Sequence, residues 1–134
     1  MEKTNLSKNT DDKRIEVVAI MEILGRPAEH LVETLEKLIE EMKKEKGIQV
    51  KNKSIKEPTE MKEKNGFYST FAEIELELES VEALALLVFK YMPAHIEVAS
   101  PENIPLKNYE VGEIFTEVTR RLHSYDKMVQ IIQT

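Results

Sequence analysis

The spacing of apolar residues changes repeatedly along this chain, and the order of these changes restricts the fold more than any other feature. Alternation over 14–24 is followed by helical spacing over 27–46, alternation over 48–57 and 67–79, helical spacing over 80–92 and a short alternating run over 95–99. A period of two marks a half-buried strand, and a period of 3.6 marks an amphipathic helix. We therefore predict an α+β domain, a ferredoxin-like βαββαβ sandwich with an additional long C-terminal helix.

The first strand and the first helix each present one apolar face. Pro27 suits the first helical position, where its missing N–H is not needed, and Gly47 supplies the stop. The inward positions of the strand are Ile15, Val17, Ala19, Met21 and Ile23. The helical stripe comprises Ala28, Leu31, Val32, Leu35, Leu38, Ile39 and Met42. Both sets are expected to belong to the core.

The second and third strands are expected to differ in polarity. The second places Ile48 and Val50 inward and Lys51 and Lys53 outward, where lysines protect a sheet edge from further pairing. A loop over 58–66 leads to the third strand, whose inward set is Tyr68, Thr70, Ala72, Ile74, Leu76 and Leu78. Its outward row is Glu73, Glu75, Glu77 and Glu79. A row of carboxylates can bind a hard cation, but we expect the two lysines on the neighbouring strand to neutralise this one instead.

The second and third helices are predicted to pack together. Ser80 can cap a second helix that is apolar on more than one face and ends near Met92. Asn108 can cap a third helix of about 35–40 Å. We expect part of its apolar stripe to cover the second helix and to be required for folding, and the rest to meet another chain. We expect parallel neighbouring strands joined through the first two helices.

The chain is thus predicted to divide into a disordered tail at 1–13, a ferredoxin-like domain at 14–106 and a C-terminal helix at 107–134 that packs on the domain or on a partner. The absence of cysteine and of a long apolar run favours a cytoplasmic protein without disulfides or membrane spans. A net charge of −6 disfavours nucleic acid as a partner. Abundant Lys and Glu are compatible with a thermophilic or archaeal source.

Catalytic chemistry has no candidate constellation in this sequence. The glycines are isolated, and the histidines belong to no metalloprotease, nucleophile-elbow or phosphate-binding motif. His30 with Glu33 and His123 with Asp126 have a spacing that can hold a metal, but such pairs are common on helix surfaces. We therefore predict no catalytic residue, no metal site and no cofactor.

One side of the predicted sheet lacks a helical cover. Its central strands would expose Val18, Ile20, Phe67 and Phe71 within a rim of acids, namely Glu16, Glu22, Glu73 and Glu75. An apolar cluster on adjacent strands favours a partner. RNA-recognition domains stack bases on aromatic residues of the same strands, but they surround those aromatic residues with Lys and Arg. The acidic rim predicted here therefore disfavours RNA as the partner.

The turn formed by Gly25, Arg26 and Pro27, together with the element order, resembles ACT-like regulatory domains. This resemblance covers residues 14–99 at the level of pattern and implies dimerisation and an amino-acid ligand near the turn. It makes Gly25, Arg26 and Pro27 candidate ligand-binding residues, with Arg26 as the contact to a carboxylate. Those domains usually place a glycine after the proline, where this chain has Ala28.

The segment IEVASPENI at 96–104 resembles the end of the C-terminal domain of WYL-type transcription regulators, which is also ferredoxin-like. No helix-turn-helix accompanies it here, so the resemblance implies topology and no function.

The leading functional hypothesis is a non-enzymatic protein-interaction or assembly module, a homo-oligomer or the partner of another protein. Its candidate interface residues are Val18, Ile20, Phe67, Phe71, Phe115, Leu122 and Met128. The alternatives are an ACT-like small-molecule-binding regulatory domain and an enzyme whose cleft no motif announces.

Overall fold

The computed structural model describes residues 14–133, with the side chains of the last helix described as far as Lys127. The elements are β1 (Ile15–Gly25), α1 (Ala28–Lys44), β2 (Ile48–Ile55), β3 (Thr59–Glu60), β4 (Tyr68–Leu78), α2 (Val81–Tyr91), β5 (His95–Ser100) and α3 (Asn108–Gln133). The predicted α+β order is confirmed. The two-residue strand β3 lies in the segment predicted as a loop. The predicted tail at 1–13 lies outside the described residues.

The sheet has the order β2-β4-β1-β5, and β3 pairs with the start of β4. Every pairing of neighbouring strands is antiparallel. The expectation of parallel neighbours joined through helices is therefore wrong. β4 separates β1 from β2, and β1 separates β4 from β5. A helix is about 10 Å across, roughly the spacing of two strands, so one strand fits between the two that a helix connects.

The core lies between one side of the sheet and the two helices α1 and α2. The inward residues of β1 and β4 meet Leu31, Leu35, Ile39 and Met42 of α1, and all four are buried. α2 contributes Ala83, Leu87 and Tyr91. Burying one large aliphatic side chain stabilises the fold by roughly 1.5–3 kcal/mol relative to exposure. The buried residues of the strands are Ile15, Val17, Ala19, Met21, Thr70, Ala72, Ile74, Leu76 and Leu78.

A β-bulge in β2 overturns one predicted orientation. Val50 pairs with Leu76, but the next residue to pair is Asn52, opposite Glu75, so Lys51 is the extra residue. The bulge shifts the alternation, because a one-residue change in register exchanges the two faces of a strand. Ile55 thereby packs against the core.

Lys53 therefore lies in register with the buried Ile74, on the helix side of the sheet. The prediction that Lys53 faces the glutamates of β4 is therefore wrong. The charge of Lys53 instead helps to lower the pKa of Glu40 on α1, an effect caused chiefly by the hydrogen bond and the charge of Lys43. The Lys43 Nζ lies 2.9 Å from the Glu40 Oε2 atom.

The ends of the first two helices use different devices. The Ser80 Oγ atom accepts a hydrogen bond of 3.1 Å from the Ala83 N–H, which confirms the predicted cap of α2. The C-cap of α2 is Met92, a left-handed residue with φ 47° that is 66% exposed. Gly47 follows α1 with φ 85°, a conformation that glycine adopts without steric cost. Pro27 immediately precedes α1 instead of occupying its first position.

α3 begins at Asn108 itself, so Asn108 is not the cap that was predicted. The Lys107 N–H donates a hydrogen bond of 2.8 Å to the Glu110 carboxylate at this end. α3 packs against α2, but none of its described side chains joins the buried core. Leu86 and Val88 of α2 remain exposed. The expected packing of α3 against α2 is therefore present, but for the described residues the buried core is formed by the sheet, α1 and α2 without α3.

Candidate functional site

Val18, Ile20 and Phe71 lie on the side of the sheet away from α1 and α2, which we call the open sheet face. Val18 and Ile20 are half-buried, and Phe71 is 38% exposed. The three side chains do not stand directly opposite one another. Val18 pairs with Glu75, and Phe71 pairs with Glu22, so Phe71 and Ile20 are diagonal neighbours. The predicted patch is therefore apolar side chains interleaved with carboxylates.

The charge on the open sheet face is strongly negative. Val18 stands between Glu75 on β4 and Glu97 on β5, because β1 is paired on both sides. The β2 residues opposite Glu73 and Glu75 are the neutral Ser54 and Asn52. The ion pair between Arg14 and Glu77 compensates one carboxylate, with 3.1 Å between Nη1 and Oε1. This surface suits a partner that brings both apolar and cationic side chains.

Phe67 does not join this patch, although it was predicted to do so. It precedes β4 and is half-buried, and the guanidinium carbon of Arg26 lies 4.7 Å from the centre of its ring. The Lys64 Nζ lies 5.3 Å from the same ring centre. Two cations thus cover the ring, an arrangement that cation–π attraction stabilises.

Beside Phe67 is a cavity of about 310 Å³, which we call the turn pocket. It is lined by Leu24, Gly25, Met61, Glu63, Lys64 and Phe67. The predicted ligand residue Gly25 lines the pocket. Arg26 does not line it but stacks on the ring of Phe67, which does. Pro27 forms the turn into α1. A hydrogen bond of 3.0 Å from the Gly66 N–H to the Glu60 carboxylate braces the loop over this region.

A groove of about 530 Å³ runs between α2 and α3. Its apolar lining includes Leu86, Tyr109 and Ile114, and its charged lining includes Glu117 and Arg120. Two helices that packed closely along their length would leave no such gap. α3 is therefore held on the domain by contacts with α2 that leave much of both helix surfaces open.

The predicted interface residues of α3 are strongly exposed. Phe115 is 63% exposed, and Leu122 is 54% exposed. The Met128 side chain lies outside the described part of the chain. Phe115 and Leu122 lie on a helix that contacts α2, and they are separate from Val18, Ile20 and Phe71 on the sheet. The structure thus distributes the predicted interface residues over two surfaces and the turn pocket.

A polar cluster joins the end of α1 to the end of α2. The Tyr91 hydroxyl donates a hydrogen bond of 2.6 Å to the Glu45 carboxylate, which also receives the Lys90 Nζ at 2.5 Å. The hydrogen bonds from Lys90 and Tyr91 lower the pKa of Glu45. Burial and the bond to Glu45 raise the pKa of Tyr91 well above its usual range. The cluster fixes the two helix ends relative to each other.

Residues 16–134 match the model of the MJ0538 family, which covers most of the chain. The chain belongs to the MJ0538 family. No curated protein and no solved structure gave a significant match.

The described part of this MJ0538-family chain offers neither a metal cluster nor a membrane-spanning helix. Within residues 14–133, no group of three or more His, Asp or Glu side chains is placed to hold a metal ion. The His30 Nδ1 lies 3.8 Å from the Glu33 Oε2, and both side chains are exposed. None of the described helices combines the length and the apolar character that crossing a bilayer requires.

Several residues of the turn pocket were not anticipated from the sequence of the MJ0538-family chain. Met61, Glu63 and Lys64 fall in a segment without periodicity, which was predicted as a loop only. The short strand β3 brings them beside the first strand-to-helix turn by pairing Thr59 with Ser69 and Glu60 with Tyr68. A two-residue pairing leaves no periodic signal that sequence analysis could detect.

Proposed function

We propose that the chain is a cytoplasmic, non-enzymatic interaction module that associates with copies of itself through α3 and offers the open sheet face as a second contact surface. The observation that carries this proposal is the exposure of Phe115, Leu122 and Tyr125 along α3. Large apolar side chains that cluster on one element mark interaction sites more often than isolated ones do.

The limited packing of α3 supports this proposal. α3 has 26 residues and α2 has 11, so α3 is longer by roughly 22 Å at 1.5 Å per residue. α2 therefore cannot accompany α3 along its whole length. A helix of this length with large exposed apolar side chains gains stability when a second surface covers it.

The charge of the open sheet face indicates what kind of surface it would meet. Two such faces placed against each other would oppose Glu75 and Glu97 to the same residues of the other copy, which is unfavourable. A surface rich in Lys and Arg with a few apolar side chains would instead complement both the carboxylates and Phe71. The proposal therefore assigns self-association chiefly to α3 and a basic partner surface to the sheet.

Sedimentation velocity of the full chain over the micromolar range tests self-association. The monomer has a mass of 15.5 kDa, and we expect a species of about twice that mass that increases with concentration. A mass that stays at 15.5 kDa throughout the range would contradict the proposal.

The turn pocket favours a second candidate function, an ACT-like domain that binds a small carboxylate ligand. The cavity of about 310 Å³ has an apolar wall and two nearby cations, Arg26 and Lys64. An arginine that leaves the Phe67 ring could form a bidentate contact with a carboxylate. The size suits a ligand such as an amino acid.

Calorimetric titration with the common amino acids, one at a time, tests this second function. We expect one of them to bind and Arg26→Gln to abolish its binding. Arg14→Gln is the matched control, because Arg14 is an exposed arginine at the other end of β1. Absence of heat for every amino acid, or equal loss in both variants, would contradict the ACT-like function.

A further inference from the structure

α3 carries a seven-residue repeat of apolar side chains that the packing of the domain does not explain. The repeat has successive spacings of 4, 3, 4 and 3, at Val111, Phe115, Val118, Leu122 and Tyr125. Val129 and Ile132 continue the same spacing in the sequence. This is the spacing of the two seam positions of a coiled coil, in which helices pair along a line that recurs every 3.5 residues. We call the five residues from Val111 to Tyr125 the α3 seam.

The exposure of the α3 seam indicates which part is open to a second helix. Phe115 and Leu122, seven residues apart, are 63% and 54% exposed, and Tyr125 is 40% exposed. Val111 and Val118 are half-buried. The residues of α3 that line the α2–α3 groove belong to other positions of the repeat. The exposed Phe115 and Leu122 therefore mark the side of the helix that contact with α2 leaves open.

The charges beside the α3 seam specify the direction of pairing. Arg121 precedes Leu122, and Asp126 follows Tyr125, so they occupy the two flanking positions of the repeat. In a parallel pair these two positions, five residues apart, face each other across the seam. Arg121 of one copy would then face the partner's Asp126, twice per dimer. An antiparallel pair brings like flanking positions together and loses both attractions.

We infer that two copies of this chain pair their α3 helices in parallel and in register, with Phe115 and Leu122 meeting their own counterparts across the seam. The inference rests on the proposed self-association and names the surface, the partner and the orientation. Arg121 also donates a hydrogen bond of 3.0 Å to Glu117 of its own chain. This i,i+4 pair is partly buried, and pairs of this kind contribute only about 0.3–0.5 kcal/mol, so Arg121 remains able to reach across the seam.

Single cysteines test the inference directly, because the natural chain contains none. Phe115→Cys and Leu122→Cys should each give disulfide-linked dimers under mild oxidation. Ser124→Cys is the matched control, since Ser124 is exposed and points away from the seam in the repeat. We expect the control to cross-link roughly a hundredfold more slowly, because pairing raises the effective thiol concentration only at the seam. Circular dichroism of the reduced variants checks that all three fold alike.

A charge exchange tests direction independently of the cysteines. Arg121→Glu alone places two like-charged pairs across a parallel dimer, whereas Arg121→Glu combined with Asp126→Arg in the same chain restores both attractive pairs. An antiparallel dimer brings like flanking positions together, so it keeps like-charged pairs in the natural chain and in both variants. We therefore expect sedimentation to show a weaker dimer for Arg121→Glu and recovery in the double variant. Equal dimerisation of all three chains would overturn the parallel register.

The outcomes separate this inference from the proposed function. Selective cross-linking at both Phe115→Cys and Leu122→Cys supports the parallel seam. An antiparallel crossing would cross-link at most one of the two with itself and would overturn the inference. Dimers in sedimentation without selective cross-linking would overturn the seam and leave self-association through another surface. A monomer in sedimentation, without cross-links, would overturn both.

Discussion

Ile20 of β1 stands directly opposite Glu73 of β4 on the open sheet face. The direct cross-strand neighbours of this half-buried apolar side chain are thus a carboxylate and, on β5, His95, and neither is a second apolar group. A partner that covered Ile20 would also have to neutralise or solvate Glu73, because a buried unpaired charge is costly. The pairing therefore selects for partner surfaces that carry cations beside apolar side chains.

The double variant Ile20→Lys with Phe71→Lys is expected to fold and to lose binding at the open sheet face. The fold is spared because each new lysine stands opposite a glutamate, Glu73 or Glu22, and can pair with it. Melting by circular dichroism checks the fold. Binding to immobilised basic peptides is measured for the variant and for the natural chain, and we expect the variant to bind less.

Leu35→Ala is the contrasting control, because Leu35 is fully buried in the core. Its truncation should cost about 2–5 kcal/mol, whereas the double lysine variant should lose much less. Unfolding of the double lysine variant to the same extent as Leu35→Ala would show that Ile20 and Phe71 belong to the intramolecular core.

Removal of residues 108–134 is expected to leave a folded domain and to abolish self-association. No described side chain of α3 belongs to the buried core, so the loss is restricted to its contact with α2, roughly 1–3 kcal/mol. Thermal unfolding and sedimentation of the truncated chain measure the two effects. Removal of residues 1–12, which are polar, should change neither. A truncated chain without a cooperative transition would contradict the prediction.

The Glu45 cluster should make stability depend on pH. The folded pKa of Glu45 is lowered from its ordinary 4.5 by hydrogen bonds from Lys90 and Tyr91. Its contribution is therefore present above the unfolded pKa and is lost as the pH falls through the folded value. We expect Glu45→Gln to cost about 1 kcal/mol at neutral pH and to match the natural chain in strong acid.

Denaturant melts of Glu45→Gln at several pH values measure this difference. Glu36→Gln is the control, because Glu36 is an exposed glutamate of α1, the helix that Glu45 follows. A gap between Glu45→Gln and the natural chain that did not narrow in acid would contradict the assignment of the effect to the carboxylate.

Met92→Gly is expected to stabilise the protomer by roughly 0.5–1 kcal/mol, because glycine adopts the left-handed conformation of this position without steric cost. The Met92 side chain is 66% exposed, so little packing is lost. Met92→Ala keeps the β carbon and should bring no such gain. Chemical denaturation of both variants distinguishes backbone relief from any effect of side-chain removal.

The periodic parts of the fold could be predicted from the sequence, because burial of one face leaves a repeating signal. The inward residues of β1 and β4, such as Val17 and Ile74, were identified in this way, as was the Ser80 cap. The strand order was predictable only in part, since periodicity specifies which face is buried and not which strand lies beside which.

The features that were missed arise from contacts between segments. The bulge at Lys51 lies in the polar run KNKS, where either face could be outward. Phe67 alternates correctly with Phe71, but Arg26 comes from another element and covers it. α3 has the stripe of a buried helix, yet α2 is too short to bury it. An apolar pattern shows that a side chain is suited to burial. It does not show whether the residues that cover the side chain belong to the same chain or to another one.

The bulge in β2 also determines which changes in length this chain can absorb. Deletion of Lys51 would leave regular alternation, with Val50, Lys53 and Ile55 still on the helix side, so the strand would straighten without moving the core. Deletion of one residue from β4 would turn half of its buried side chains outward. Natural length variation in this sheet should therefore concentrate at Lys51. Loss of one residue from β2 would be tolerated in evolution, whereas loss of one residue from β4 would prevent folding.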